Sequence, residues 1–410
     1  MQTRDIIEYL KEFSLSPSHS KTKMEHLSIE GRQILKLTNE FWTSKQRQSS
    51  ALHEISYRAC FKGQLPGFFI KLMTEENDLV YDPFSGRGTT VVEAGLLGRK
   101  IIANDINPLS RILSEPRFAI PELEEIEARL SEIGVDKNKK AELDLSMFYH
   151  PDTEAEIVSL KNYLQAKKQR GQEDKLDRWI RMIATNRLTG HSTGFFSVYT
   201  LPPNQAVTPQ SQLKINQKRN QKPEYRDTKK IILKKSQSLI RNLTQKEKEN
   251  LNRAGESALF LNKDARDTGE IESESVQLTV TSPPFLNIVQ YSRDNWLRCW
   301  FNSINDKEIA KKISMSKTVE DWCLNMRSVF QELFRITRSG GWVAFEVGEV
   351  RKGSISLDEY VVPLGLQAGF QCPGIITNSQ EFTKTSNIWG VNNNSCGTNT
   401  NRIVLFKKVG

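Results

Sequence analysis

Four short segments carry residues whose types and spacing could do chemistry. Asp82-Pro83-Phe84-Ser85-Gly86-Arg87-Gly88-Thr89-Thr90 places two glycines in a turn ahead of a helix. Gly86 and Gly88 let backbone approach a ligand closely, and the free N–H groups of the following helix can hold a phosphate or a carboxylate. No Gly-Lys-Ser/Thr follows, so this is not a P-loop, and it falls short of a full G-x-G-x-x-G fingerprint. A phosphate-free cofactor with an amino-acid carboxylate fits better. Asp105 lies 17 residues beyond Gly88. A carboxylate there can accept hydrogen bonds from vicinal ribose hydroxyls, although Asp-x-Asn-Pro also suits a turn. Asp264, in Asn262-Lys263-Asp264-Ala265-Arg266-Asp267, could accept from an adenine amino group; Asp267 is its nearest rival, and a plain turn acid the alternative.

Thr281-Ser282-Pro283-Pro284-Phe285 is the sharpest of the four. Two prolines cannot continue a central strand. They stiffen the loop beyond its C-terminal end, where α/β proteins bind ligands. Proline removes N–H donors and leaves carbonyl acceptors. A hydroxyl, a carbonyl and an aromatic face together would hold a planar base bearing an amine.

These segments need a scaffold, and the pattern around them supplies one. Asn77-Asp78-Leu79-Val80-Tyr81-Asp82 reads as a buried strand, Thr89–Gly98 as a helix, and Ile101–Asp105 as a second strand. Strand, glycine turn, helix and acid-tipped strand make up a nucleotide-binding βαβ unit. Short strands return after residue 256 in Ser257–Asn262, Ser275–Phe285, Trp342–Val350, Gly374–Thr377 and Arg402–Phe406, with an amphipathic helix at 319–341 closed by Gly340-Gly341. Residues 1–50 read as one or two helices, Ile6–Phe13 and Gly31–Trp42 giving their apolar faces. The expected organisation is an N-terminal helical extension (1–45), an α/β domain (46–115 and 255–410), and a mainly helical insert (116–254). A break that long within a compact domain is itself a module.

The sequence resembles the amino-group DNA methyltransferases, which modify cytosine N4 or adenine N6. Phe84, Gly86 and Gly88 match that family's F-x-G-x-G cofactor motif, and Ser282-Pro283-Pro284-Phe285 its [DNS]-P-P-[YFW] catalytic motif in the serine form typical of the N4-cytosine subgroup. Tyr57–Phe69 is similar to the segment that precedes the cofactor motif and closes over the methionine end. The resemblance covers roughly 45–115 and 255–410. It implies a Rossmann-like fold with a mostly parallel seven-stranded sheet and S-adenosyl-L-methionine as cofactor, held by Phe61, Asp82, Phe84, Gly86, Gly88, Thr89, Thr90, Asp105 and Asp264. It implies catalysis by Ser282, Pro283, Pro284 and Phe285 on a flipped-out base of double-stranded DNA. A cognate restriction enzyme acting on the same site and a monomeric state are further expectations. The order, cofactor motif before catalytic motif with a large insert between, puts target recognition in the insert. Arg87 departs from the small residue frequent at its position. The rival readings are an adenine-N6 enzyme and a basic DNA-binding protein with a degenerate cofactor fold.

Charge agrees with a polyanionic partner. The chain of 410 residues carries a net charge of +9. Between Lys214 and Arg253 stand thirteen Lys/Arg against four Asp/Glu, so the whole excess sits in the insert. Lys218, Arg219, Lys229, Lys230, Lys234 and Lys235 are the candidate DNA contacts; a solvated helical face is the alternative. Five scattered cysteines and five scattered histidines give no metal-site or redox spacing, so no metal is expected. No apolar run reaches membrane-spanning length and no signal-peptide layout opens the chain. A cytoplasmic, nucleoid-associated protein is expected.

Overall fold

The computed structural model describes residues 3–15, 21–43, 49–58, 60–202, 205–284, 294–312, 316, 318–350, 355–379 and 400–410. Helix α1 (Thr3–Glu12) precedes a hairpin of β1 (Lys23–Ile29) and β2 (Arg32–Asn39); α2 (Gln64–Met73), β3 (Leu79–Asp82), α3 (Thr89–Leu96) and β4 (Lys100–Asn104) follow. Helices α4 (Leu109–Ser114), α5 (Leu123–Glu132), α6 (Pro151–Gln169), α7 (Lys175–Arg187), α8 (Pro209–Arg219), α9 (Thr228–Ile240) and α10 (Gln245–Glu256) separate β4 from β5 (Leu259–Leu261). The chain continues through β6 (Val276–Thr281), α11 (Trp296–Phe301), α12 (Asp306–Lys312), α13 (Val319–Ile336) and β7 (Thr337–Val347). It ends with a small ladder of β8 (Glu349–Val350) and β9 (Ile355–Ser356), then α14 (Leu357–Ala368), β10 (Gln371–Ser379) and β11 (Thr400–Lys407).

One nine-stranded sheet runs β1-β2-β10-β11-β7-β6-β3-β4-β5. The five strands β5, β4, β3, β6 and β7 are mutually parallel. β11 lies antiparallel between β7 and β10. From β3 the chain winds outward through β4 and β5, then returns to β6 on the other side of β3. The strand order therefore reverses between β3 and β6, which opens a crevice at their C-terminal ends.

Successive residues of these strands point to opposite faces. Ala344, Ile403 and Leu405 join the core on one face, shared with α2, α3 and the helices between β4 and β5. Val343, Phe345, Val404 and Phe406 join the other, against α13 and α14. Both faces are covered, which is why the strands read as unbroken apolar runs rather than as an alternation.

The N-terminal region differs from the helical expectation. α1 is a helix, but Lys23–Ile29 and Arg32–Asn39 form a hairpin that extends the expected seven strands, with β2 parallel to β10. Glu30 and Gly31 both take positive φ (47° and 75°), the backbone that a tight two-residue hairpin turn needs. Ile34 and Leu37 keep a spacing that suits a helix, and pairing to β10 overrides it. Gly340 and Gly341 lie inside β7 rather than ending the preceding helix. α10, expected to belong to the insert, packs on α3: Asn250 donates to the Leu96 carbonyl at 3.0 Å, and Leu251 sits against Gly95. It is the covering helix ahead of β5. Among the described residues, no helix is long and apolar enough to cross a membrane.

Phe406 is fully buried between Phe330 (5.1 Å between ring centres) and Phe370 (5.9 Å). Replacing it with alanine is expected to lower unfolding free energy by about 3–5 kcal/mol. A urea midpoint equal to that of the wild type would show that this face is not a packed core.

Candidate active site

The site forms at the reversal. At the end of β3, the Asp82 carboxylate accepts from the Thr281 hydroxyl at the end of β6 (2.7 Å) and from the Phe84 N–H (3.1 Å). The glycine turn follows, with Gly86 at φ 53° and Gly88 at φ 78°. Gly88 is required twice over. It caps α3 in a left-handed conformation, and an added Cβ would stand 2.6 Å from the Ser114 Cβ. Asp105, just past β4, holds the turn from the side: its two oxygens accept from the Gly86 and Asn107 N–H groups, each at 2.8 Å.

A solvent-open cavity lies over these strand ends. Of the residues expected at the cofactor, Phe61, Asp82, Phe84, Gly86, Thr89, Asp105 and Asp264 line it, and Ser282 and Pro284 line it from β6. Gly88, Thr90 and Pro283 do not. Thr90 lies beneath the floor, donating to the Val280 carbonyl at 3.0 Å. Phe285 falls outside the described residues.

Asp264 arrives already paired. Arg266 donates to both its oxygens (2.9 and 2.6 Å) and also to Asn325 on α13 (3.1 Å). The pairing holds the Asp264 carboxyl below its usual range. An adenine amine would bind a carboxylate whose remaining lone pairs are oriented by Arg266.

Several lining residues carried no sequence signal of their own: Arg266, Trp322, Asn325 and Met326. Trp322 is buried on α13, and its indole N–H donates to the Pro284 carbonyl at 3.0 Å, fixing the Pro-Pro loop against the cavity wall. Only the packing of α13 beside β6 brings the two together.

Arg87, the residue out of pattern, clamps the preceding segment to the turn. It donates to the carbonyls of Ile55 (2.9 Å) and Phe61 (3.2 Å) and to the Thr89 hydroxyl (3.1 Å). Fully buried Arg117 adds bonds to the carbonyls of Leu113 and Leu52, each at 3.0 Å, and of Arg87. Its burial pushes the guanidinium down to about 9. These contacts seat Tyr57, Cys60 and Phe61 on the cavity rim.

The basic tract divides. Lys218, Arg219, Lys230 and Lys234 are exposed, with Arg219 stacked 3.8 Å over the Tyr199 ring and Lys230 paired to Asp227 at 3.3 Å. Lys229 and Lys235, also expected among the DNA contacts, are half-buried and engaged within the protein. Lys229 donates to the Ile133 carbonyl at 2.6 Å, and Lys235, with only 10% of its side chain exposed, pairs with Glu54 at 3.0 Å. Both bind helices to their neighbours.

The sheet order, with β11 reversed beside β7, is that of the Rossmann-like methyltransferase fold. A family model described as DNA methylase, for N6 and N4 enzymes, matches residues 9–142 and so includes the hairpin, the glycine turn and Asp105. The match spans about a third of the chain. Over 103 residues the chain is 29% identical to the Type II methyltransferase M.MjaII of Methanocaldococcus jannaschii, covering 25% of this chain and 17% of that protein. The chain thus spans about a sixth of the curated relative it matches (17%). Among solved structures, it is similar to a chain assigned as a DNA modification methylase from Thermus thermophilus, complexed with S-adenosyl-L-methionine (21% identity, TM-score 0.23, 36% of this chain and 54% of that one). It is also similar to the rRNA methyltransferase aviRa of Streptomyces viridochromogenes (11%, TM-score 0.36, 89% and 92%).

Burial pushes the Asp82 carboxyl up to about 7 and the Asp105 carboxyl up to about 6, against the pull of their hydrogen-bond donors. Both protonate more readily folded than unfolded, where aspartate sits near ~3.9. Their contribution to stability is therefore fully present below about pH 4 and is lost as pH rises through about 6 and about 7. Asp82→Asn should flatten the fall in Tm of the ligand-free protein between pH 4 and 8. A variant whose Tm tracks the wild type across that range would place the Asp82 carboxyl in its ordinary range.

Proposed function

We propose that this chain is a site-specific DNA methyltransferase that moves a methyl group from S-adenosyl-L-methionine to an exocyclic amino group, cytosine N4 in particular. One observation carries the reading: Ser282 and Pro284 open into the same cavity as Gly86 and Asp105, from the opposite side of the strand reversal. Cofactor and amine would meet there.

The residues present suit that cofactor. The glycine turn leaves a cradle that side chains would fill, and no P-loop lysine is there to hold a phosphate. Asp105 has lone pairs left for ribose hydroxyls beyond its two backbone bonds. Asp82 and Asp105 set negative charge beside a ligand that carries an ammonium and a sulfonium. The bound cofactor supplies an electrophilic methyl group. The chain supplies position and a water-poor setting for a weak nucleophile. Ser282 accepts from the amine N–H, while the Pro284 carbonyl is committed to Trp322. Phe285 stacks on the base, which leaves the helix because its amine cannot reach the methyl group inside a stacked duplex. No thiolate takes part.

Double-stranded DNA docks through the exposed cations Lys218, Arg219, Lys230 and Lys234. The serine at the head of the motif favours cytosine N4 over adenine N6. Protection of a site from a cognate restriction enzyme, and work in the cytoplasm on nucleoid DNA, complete the reading.

Asp105→Ala should weaken S-adenosyl-L-methionine binding by about 1.5–3 kcal/mol, the loss of charge-assisted hydrogen bonds. Calorimetry giving wild-type affinity would remove Asp105 from the ribose role. The function itself is tested by incubating the chain with cofactor and random-sequence DNA, then analysing the hydrolysed product by mass spectrometry. N4-methylcytosine is expected, and some should persist when every cysteine is replaced by serine. N6-methyladenine would overturn the base assignment alone, and 5-methylcytosine the mechanism.

A further inference from the structure

The two prolines after Ser282 have no N–H to donate, so at 283 and 284 the backbone can be fastened only through its carbonyls. β6 and its ladder end at Thr281, opposite Phe345. Beyond that point the fastening comes from α13, where the Trp322 indole N–H donates to the Pro284 carbonyl at 3.0 Å. Tryptophan suits the task because it joins a large apolar body to a single donor. The body is 2% exposed and packs in one cluster with Val319, Met326, Val329 and Phe330 of the same helix. The donor therefore stands on a packed core.

The same face of α13 reaches the other end of the cavity. Trp322, Asn325, Met326 and Val329 line it at the i, i+3, i+4 and i+7 spacing of one helix face. Asn325 Oδ1 accepts from Arg266 at 3.1 Å, and the other guanidinium nitrogens of Arg266 hold Asp264. The Asn325 amide nitrogen donates to the Ser316 hydroxyl (3.2 Å) and to the Asp321 carbonyl (3.1 Å), which fixes the direction of the side chain. About two turns further on, Glu332 accepts from the N–H and the hydroxyl of Thr268 (2.9 and 2.6 Å). The loop that carries Asp264 and the loop that carries Ser282 are thus tied to one helix.

We propose that Trp322 is a positioning residue for the methyl transfer, holding the Ser-Pro-Pro loop by the Pro284 carbonyl so that Ser282 keeps its place across from the glycine turn. Asn325, on the same helix face, positions the adenine end through Arg266. The proposal rests on the methyltransferase reading given above. The indole N–H is spent on the loop, so its removal displaces Ser282 and leaves the bonds around Asp264 as they are. Loss of the Asn325 amide frees Arg266 and leaves the Pro284 bond as it is. The helix works as a jig with two separate points, one governing rate and the other affinity.

The test pairs single-turnover methylation, cofactor and DNA saturating, with calorimetric titration of S-adenosyl-L-methionine. Trp322→Phe removes the donor and keeps an aromatic body. It should slow transfer by about 10- to 100-fold and leave cofactor affinity at the wild-type value. Asn325→Ala should weaken cofactor binding by about fivefold, with the smaller loss of rate. General damage to the helix would instead lower rate and affinity together in both variants. Should Trp322→Phe fail to fold, the benzothiophene analogue of tryptophan introduced at 322 keeps the bicyclic volume and lacks only the N–H. The same slow transfer is expected of it. A further readout needs no turnover: the ultraviolet resonance Raman difference between wild type and Trp322→Phe should show the Trp322 indole band at the frequency of a hydrogen-bonded N–H. An unbonded frequency, a wild-type rate without the donor, or equal losses of rate and affinity in both variants overturns the proposal while methylation by the wild type stands. A wild-type chain that modifies no DNA overturns the methyltransferase reading, and the positioning role with it.

Discussion

The hydrogen bond from Thr281 to Asp82 spans the one place in the sheet where the winding reverses. On either side of it the loops diverge, the glycine turn leaving β3 and the Ser-Pro-Pro loop leaving β6. The bond sets the distance between them. It is buried, which makes it strong and also raises the Asp82 carboxyl to about 7. The interaction that joins the two halves of the site is thus tied to a charge the fold itself disfavours. A cationic ligand at this spot would relieve that cost.

Around this junction the chain uses arginines, Arg117 buried and Arg87 half-buried, as fasteners. Arg117 and Arg87 satisfy backbone carbonyls on the turn and on the segment that rims the cavity, where close packing alone would leave those acceptors unpaired. The cost is desolvation of the guanidinium groups, visible in the lowered Arg117. Arg266 does comparable work at the far end, orienting Asp264 and reaching α13. The walls of the cavity are therefore set mainly by charge-assisted bonds, and its floor by the apolar strands.

The helices between β4 and β5 share one hydrophobic cluster with a face of the sheet. Lys235 and Lys229 are spent within that packing, so the positive field facing solvent is smaller than the local sequence charge, and is carried by residues such as Lys218 and Lys234. Counting charges along a chain overstates what a polyanion can reach.

From the sequence alone came the local chemistry: glycines where φ turns positive, an acid at the tip of β4, prolines where β6 must stop, and strands apolar enough to be covered on both faces. Each follows from the steric or solvation demands of a few neighbouring residues. The tertiary structure decided what depends on partners distant in the chain. Pairing with β10 made a strand of Arg32–Asn39 despite its helical spacing, because ladder bonds and a covered face outweigh local periodicity. Packing of α10 on α3 moved it from the insert to the sheet's covering layer. A contact across 38 residues puts Trp322 on Pro284, since only the packing of α13 beside β6 brings those atoms within bonding distance.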